Sequence, residues 1–309
     1  MSTTSDLLAD PELLGTEWDL TPLVDGDEQH GVDRLLDDAV ARAGEFAKAH
    51  SGRVAELDGP ALREAMTELA AINDAAGKAA SFASLRFSTD TADPERGALL
   101  QRMEERLTEM ETLLLFFELE WAALDDEQAE RLLATDGLEF CSHHLRTARR
   151  YRPHLLSEPE EKVLAEKSLS SRSAWARLFG ELTSALRVSL RGDDVPLQLA
   201  LSELQGADRE QRRLAAEAIS GTLEPGVRTL AFIHNTLIYE KSVDDRLRRY
   251  PHWLASRNLA NEASDESVLA LIHAVRGRFD IPQRWYRLKA RLLGLDVLSD
   301  YDRSAPLLQ

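Results

Sequence analysis

Residues Thr183–Leu199 read T-S-A-L-R-V-S-L-R-G-D-D-V-P-L-Q-L, and the rest of the chain is best understood by contrast with them. Apolar and polar residues alternate on both sides of Arg191-Gly192-Asp193-Asp194, the two-residue period of a half-buried strand. The central tetrapeptide is a turn signal, so the stretch predicts a β-hairpin. Pro196 has no amide hydrogen to donate, which confines its strand to an edge or ends it there. This is the one credible hairpin in the sequence.

Outward from it, apolar residues recur every three or four positions, the period of helices. Just upstream, Ser157-Glu158-Pro159-Glu160-Glu161 opens a helix with a capping serine, an early proline and carboxylates in the first turn. That helix runs through Leu164 and Leu169, and another carries Ala174, Trp175, Leu178 and Phe179. Nearer the start, Val32, Leu35, Leu36, Ala39, Val40, Ala43, Phe46 and Ala47 form a stripe that ends near Ser51-Gly52. Asp58-Gly59-Pro60 starts a second helix, carried by Leu62, Met66, Leu69, Ile72, Ala76, Ala80 and Ala83 to about Phe87. Its alanine-rich half permits close helix approach. After a connector at Ser88–Pro94, a long helix is expected from Glu95 to about Leu124. Downstream of the hairpin, helices return from Asp208, over Val227–Val243 and from Ser264. The expectation is a mainly α fold, a multi-helix lobe with one β-hairpin, in three regions: 1–180, 181–205 and 206–309. No repeat of fixed period is visible, which argues against a solenoid.

Composition excludes several function classes. The formal charge is −17 over 309 residues, so nucleic acid and anionic membrane surfaces would repel the chain. With 43% hydrophobic residues it has material for a substantial core. A lone cysteine, Cys141, permits no internal disulfide and fits a reducing cytoplasm. The opening residues Met1–Gly15 lack the basic and apolar regions of a signal peptide. The longest apolar runs, such as Leu113–Phe117, are far below the ~20 residues of a membrane span. The basic residues Arg146, Arg149, Arg150 and Arg152 are expected to pair with the nearby Glu158, Glu160 and Glu161 on a helical surface.

No catalytic or metal-binding motif is present. A zinc-peptidase helix places two histidines at i and i+4 with a glutamate after the first. None of the eight histidines is followed by glutamate, and none has another histidine four places on. Cys141, His143 and His144 form a Cys/His cluster, but on a helix these side chains diverge and cannot close around one zinc ion. Phosphate-binding glycine loops are missing. The acidic pairs Asp125-Asp126 and Asp244-Asp245 read as caps or solvated faces.

An ordered set of blocks nevertheless resembles the oligoendopeptidase F family of zinc metallopeptidases. The blocks are T-E-W-D-L-T-P-L (16–23), S-F-A-S-L-R-F-S-T-D-T-A-D-P (81–94), H-L-L-S-E-P-E-E-K-V-L (154–164), S-A-W-A-R-L-F (173–179), D-R-E-Q-R-R-L-A-A-E-A (208–218), R-R-Y-P-H-W-L-A-S-R-N-L-A-N (248–261) and the segment from Trp285 to the end. The resemblance implies a two-lobed, channel-type helical fold and a cytoplasmic, zinc-dependent enzyme that cleaves oligopeptides. In that family the H-E-x-x-H helix lies further downstream, so the chain resembles the N-terminal part. The expectation is that it holds no catalytic and no metal residue, that zinc belongs to the complete enzyme, and that it is inactive without the catalytic part in cis or trans. Tyr250, Arg257 and Asn261 are candidates to face the substrate channel. The competing expectation is a non-catalytic helical protein that binds peptides or docks with a partner.

Overall fold

The computed structural model describes residues 18–28 and 30–307. The block at 16–23 is therefore seen only from Trp18, and the opening Met1–Gly15 and the terminal Leu308 and Gln309 lie outside the described residues. Helices account for most of the described chain. They are α1 (Gly31–His50), α2 (Gly59–Thr89), α3 (Pro94–Ala123), α4 (Asp126–Leu133), α5 (Glu139–Arg150), α6 (Glu158–Ser168) and α7 (Arg172–Ser184). A hairpin of β1 (Arg187–Leu190) and β2 (Asp193–Pro196) follows. Then come α8 (Leu197–Glu203), α9 (Arg209–Leu223), α10 (Val227–Leu247), α11 (Ala255–Ala260), α12 (Asp265–Gly277) and α13 (Asp280–Leu292). The fold is thus mainly α with a two-stranded antiparallel hairpin.

The chain divides into two compact units. The first takes the described residues up to Phe117 together with Glu130–Leu138; the second takes Glu118–Ala129 and the described residues from Glu139 onward. In the first unit, α1 and α2 pack along their apolar stripes. Val32 and Leu36 from α1 meet Ala79, Phe82 and Ala83 from α2, and Leu100 and Met103 from α3 join them. Burying stripes of this kind contributes about 25 cal/mol per Å² of apolar surface, which is what holds amphipathic helices in place. Small residues let the backbones close in, since Ala75, Ala76, Ala79 and Ala83 are all buried. The expected helix start is confirmed at Asp58, whose carboxylate accepts from the Ala61 amide at 2.9 Å. Gly59 is required beside it, because a Cβ there would run into the side chain of Thr135. Gly59→Ala should therefore lower the unfolding free energy by about 1–3 kcal/mol, the usual cost of overpacking. Urea denaturation checks this, and an unchanged midpoint would show that Thr135 moves aside freely.

In the second unit the hairpin has the register Leu190↔Asp193, with Val188 opposite Val195. Arg191 and Gly192 have φ of 57° and 94°, so both central residues of the two-residue turn are left-handed, the geometry that suits a twisted hairpin. Val188 and Leu190 face inward while Arg187 and Ser189 face out. Val188 packs with Ala200 of α8 and Ile219 of α9. The strands are shorter than the alternation suggested. Thr183 and Ser184 still belong to α7, with the Thr183 hydroxyl donating to the Phe179 carbonyl at 2.8 Å. Leu197–Leu199 already belongs to α8, which starts directly after Pro196, where a missing amide hydrogen costs nothing.

The arginine cluster is also placed differently from expectation. Arg149 donates to the carbonyls of Trp121 and Leu124, each at 2.7 Å. Arg152 donates to the carbonyls of Ala122 and Leu124, at 2.5 and 2.8 Å. Both also reach Asp126, and Arg150 lies near Glu262. The guanidinium groups therefore occupy the C-terminal carbonyls of α3, where partial negative charge collects, and Glu158, Glu160 and Glu161 are engaged elsewhere. Beside them Trp121 is buried, its indole donating to the Leu145 carbonyl at 2.8 Å.

Candidate functional site

The candidate residues lie in the second unit, around the turn that follows α10. Leu247 ends α10 and Arg249 turns the chain with a φ of 62°. The Tyr250 amide then donates back to the Asp245 carbonyl at 2.8 Å. The Tyr250 ring stacks on His154 at 3.9 Å between centroids and 20° between planes. Burial pushes the Tyr250 phenol up from its ordinary range. His154 Nδ1 lies 2.9 Å from the Arg248 carbonyl. A carbonyl only accepts, so Nδ1 carries the proton.

Arg248 is the centre of this group. Its guanidinium grips Glu161 through two nitrogens, at 2.7 and 2.8 Å, and holds Asp244 at 3.0 Å. Glu161 is 7% exposed and also accepts from the Leu156 amide at 3.0 Å. Burial alone would push the Glu161 carboxyl up, but the hydrogen bonds from Arg248 and Leu156 outweigh it and hold the group below the usual carboxylate range. Two-point contact between a planar guanidinium and a carboxylate also fixes direction. The Ser157-Glu160 capping box sits at the same helix start, so α6 is anchored at its beginning to the end of α10.

Arg257 and Asn261 are four residues apart, on and just after α11, and both are exposed. Positions i and i+4 share a helix face, so the structure brings these two together. Tyr250 belongs to the stacked group with His154. The intervening Asn258 is buried and donates to Asp265 at 2.7 Å. Asp265 is also 2.8 Å from His252. The anchor of Glu161, His154, Arg248 and Asp244 was not foreseen. Its local signal was the helix opening at Ser157, but its partner lies 87 residues further on.

No group of three or more His, Cys, Asp or Glu able to hold a metal ion occurs among the described residues. Cys141 is buried, and burial pushes its thiol up. His143 is turned to Glu262 at 2.9 Å. The described residues thus do not fit a zinc site. Nor is any of their helices long and apolar enough to cross a membrane.

Fold and site together define a mainly helical region with polar anchors, in which no metal-binding constellation occurs among the described residues. Comparison with known proteins shows what this region resembles. Residues 120–187 match the family model described as Oligopeptidase F. The chain is 25% identical over 301 residues to the group B oligopeptidase PepB of Streptococcus agalactiae, covering 95% of this chain and 49% of PepB. It is 22% identical over 256 residues to the oligopeptidase PepF of Bacillus subtilis, covering 80% of this chain and 38% of PepF. The crystal structure of oligoendopeptidase-F from Enterococcus faecium superposes with a TM-score of 0.78 at 21% identity, covering 90% of this chain and 56% of that one. The resemblance to the oligoendopeptidase F family thus holds in sequence and in fold, and the chain spans about half the length of the curated relatives it matches.

Proposed function

We propose that this chain is the N-terminal helical region of a zinc-dependent cytoplasmic oligoendopeptidase. In this reading it supplies a wall of the peptide channel, and the zinc and the catalytic groups sit in a further part, in cis or trans. The observation that carries the proposal is the exposed apolar surface at α12 and α13. No residue of α12 is buried, and Lys289 is the buried residue of α13. Leu271 is 63% exposed, Trp285 45% and Leu292 60%. On α13, Ile281, Trp285, Leu288 and Leu292 are exposed at positions i, i+4, i+7 and i+11, a continuous stripe. Large contiguous apolar patches on a monomer mark an interaction surface, and a further part, such as the half of PepB that this chain does not match, is what we propose to cover it.

The residues proposed to face the channel are Tyr250, Arg257 and Asn261, with Arg257 and Asn261 the more accessible pair. On this reading the purified chain, given zinc and a quenched fluorescent nonapeptide, should show no turnover that a chelator abolishes. Robust chelator-sensitive hydrolysis by homogeneous material would overturn the proposal.

A further inference from the structure

We infer that α10 carries an oligopeptide-binding site that recognises a free C-terminal carboxylate through Arg228. The inference rests on the peptide-handling reading above. An open depression of about 430 Å³ lies along α10, lined by Arg228, Thr229, Ala231, Phe232 and Asn235. That is within the size range of ligand sites, about 300–1,000 Å³. Arg228, Phe232 and Asn235 follow one another at i, i+4 and i+7 and form a single exposed row. Trp175 of α7 meets Phe232 edge-on, with ring centroids 5.7 Å apart.

The chemistry of the row selects the ligand. Arg228 has no ion pair and no side-chain hydrogen bond among the described residues, and the Asn235 amide has no partner there either. Arg213 is by contrast held by Glu210 and Glu217 and Arg248 by Glu161 and Asp244. Exposed arginines such as Arg276 and Arg287 also lack a partner among the described residues, and Arg228 differs from them in lining the depression. In a chain of net charge −17, a guanidinium left without a carboxylate is the complement of one brought by a ligand. Its planar fork suits a carboxylate better than a spherical anion. The Asn235 amide both donates and accepts, matching a peptide group. Phe232 and Trp175 provide an apolar, aromatic surface between the two polar ends.

Spacing sets the length of the ligand. Seven residues of helix span roughly 10 Å at 1.5 Å per residue. An extended peptide covers that distance in about three residues. A peptide with its carboxylate on Arg228 thus reaches Asn235 with the backbone about three residues in, and a dipeptide does not reach it.

The test is fluorescence polarisation with Ala-Ala-Phe-Ala-Ala carrying an N-terminal fluorescein, as free acid and as C-terminal amide, in buffer with chelator. The free acid should bind about tenfold more tightly than the amide. Arg228→Ala should bring the free acid down to the amide's affinity, and Arg228→Lys should recover part of the difference. Because Arg228 has no partner among the described residues, the melting temperature of Arg228→Ala should match that of the parent chain. Equal binding of acid and amide, an Arg228→Ala variant that retains the preference, or no binding at all would each overturn the site. These measurements need no catalysis: chelator-sensitive turnover by the chain would defeat the proposed function and leave the site intact, whereas absence of carboxylate-dependent binding does the reverse.

Discussion

Asp302→Ala should lower the unfolding free energy by about 3–5 kcal/mol, the range for removing one partner of a buried ion pair. Asp302 is fully buried and accepts from Arg209 at 2.9 Å, Arg212 at 3.1 Å and the Ser299 amide at 3.0 Å. Arg212 is itself 2% exposed and spends its other donors on the carbonyls of Tyr301, Gly206 and Ala207. Without Asp302 its charge would stay buried among carbonyls with no anion to balance it. Burial pushes the Asp302 carboxyl up, but the bonds from Arg209, the Ser299 amide and Arg212 prevail and bring it from 3.8 to about 2. A carboxyl depressed by folding stabilises fully above its unfolded value and loses that contribution as pH falls through its folded value. Stability from this group is therefore complete above about pH 4 and fades towards pH 2, by about 2 kcal/mol. Urea denaturation of parent and variant at pH 6 and pH 2.5 measures both effects. A gap between them that does not narrow at the lower pH would sink the account.

Arg248→Ala is expected to cost about 3–4 kcal/mol, since it strands the Glu161 carboxylate in a buried position. It also removes the restraint on Asp244. The direction of the Glu161 titration gives a sharper reading than the stability. In the parent the carboxyl lies below its ordinary range because Arg248 and the Leu156 amide outweigh burial. In the variant burial dominates, and the group should move above that range. Carboxyl-carbon NMR of Glu161 follows this directly, and a pKa that stays low would mean that the Leu156 amide suffices. Arg248→Lys should restore the charge without the two-point grip and recover only part of the stability.

Much of the architecture was legible because helix and turn signals are local. Asp58, Ser157 and Asp208 mark helix starts within three residues of the amides they serve. Arg191-Gly192 gives the hairpin turn for the same reason. Where two local signals compete, pattern is ambiguous: Thr183 and Leu197–Leu199 fit an alternating period and a helical one equally well, and packing assigns them to α7 and α8. The anchors could not be read at all. Glu161 and Arg248 are 87 residues apart and Arg209 and Asp302 are 93 apart, so nothing in either neighbourhood announces the partner. The arginine cluster misled for a related reason, since Glu158–Glu161 is close in sequence while the carbonyls that Arg149 and Arg152 satisfy lie on α3.

The lone thiol of Cys141 turns the second unit into its own stopwatch. It lies buried on α5, four residues before Leu145, whose carbonyl receives the Trp121 indole. A protonated, enclosed sulfur does not attack an alkylating reagent, because the thiolate is the reactive species and must be reached. Modification therefore waits for the segment around Cys141 to open. Its rate, read as a single mass increment without introducing any label site, counts how often that segment opens while the rest of the chain stays folded.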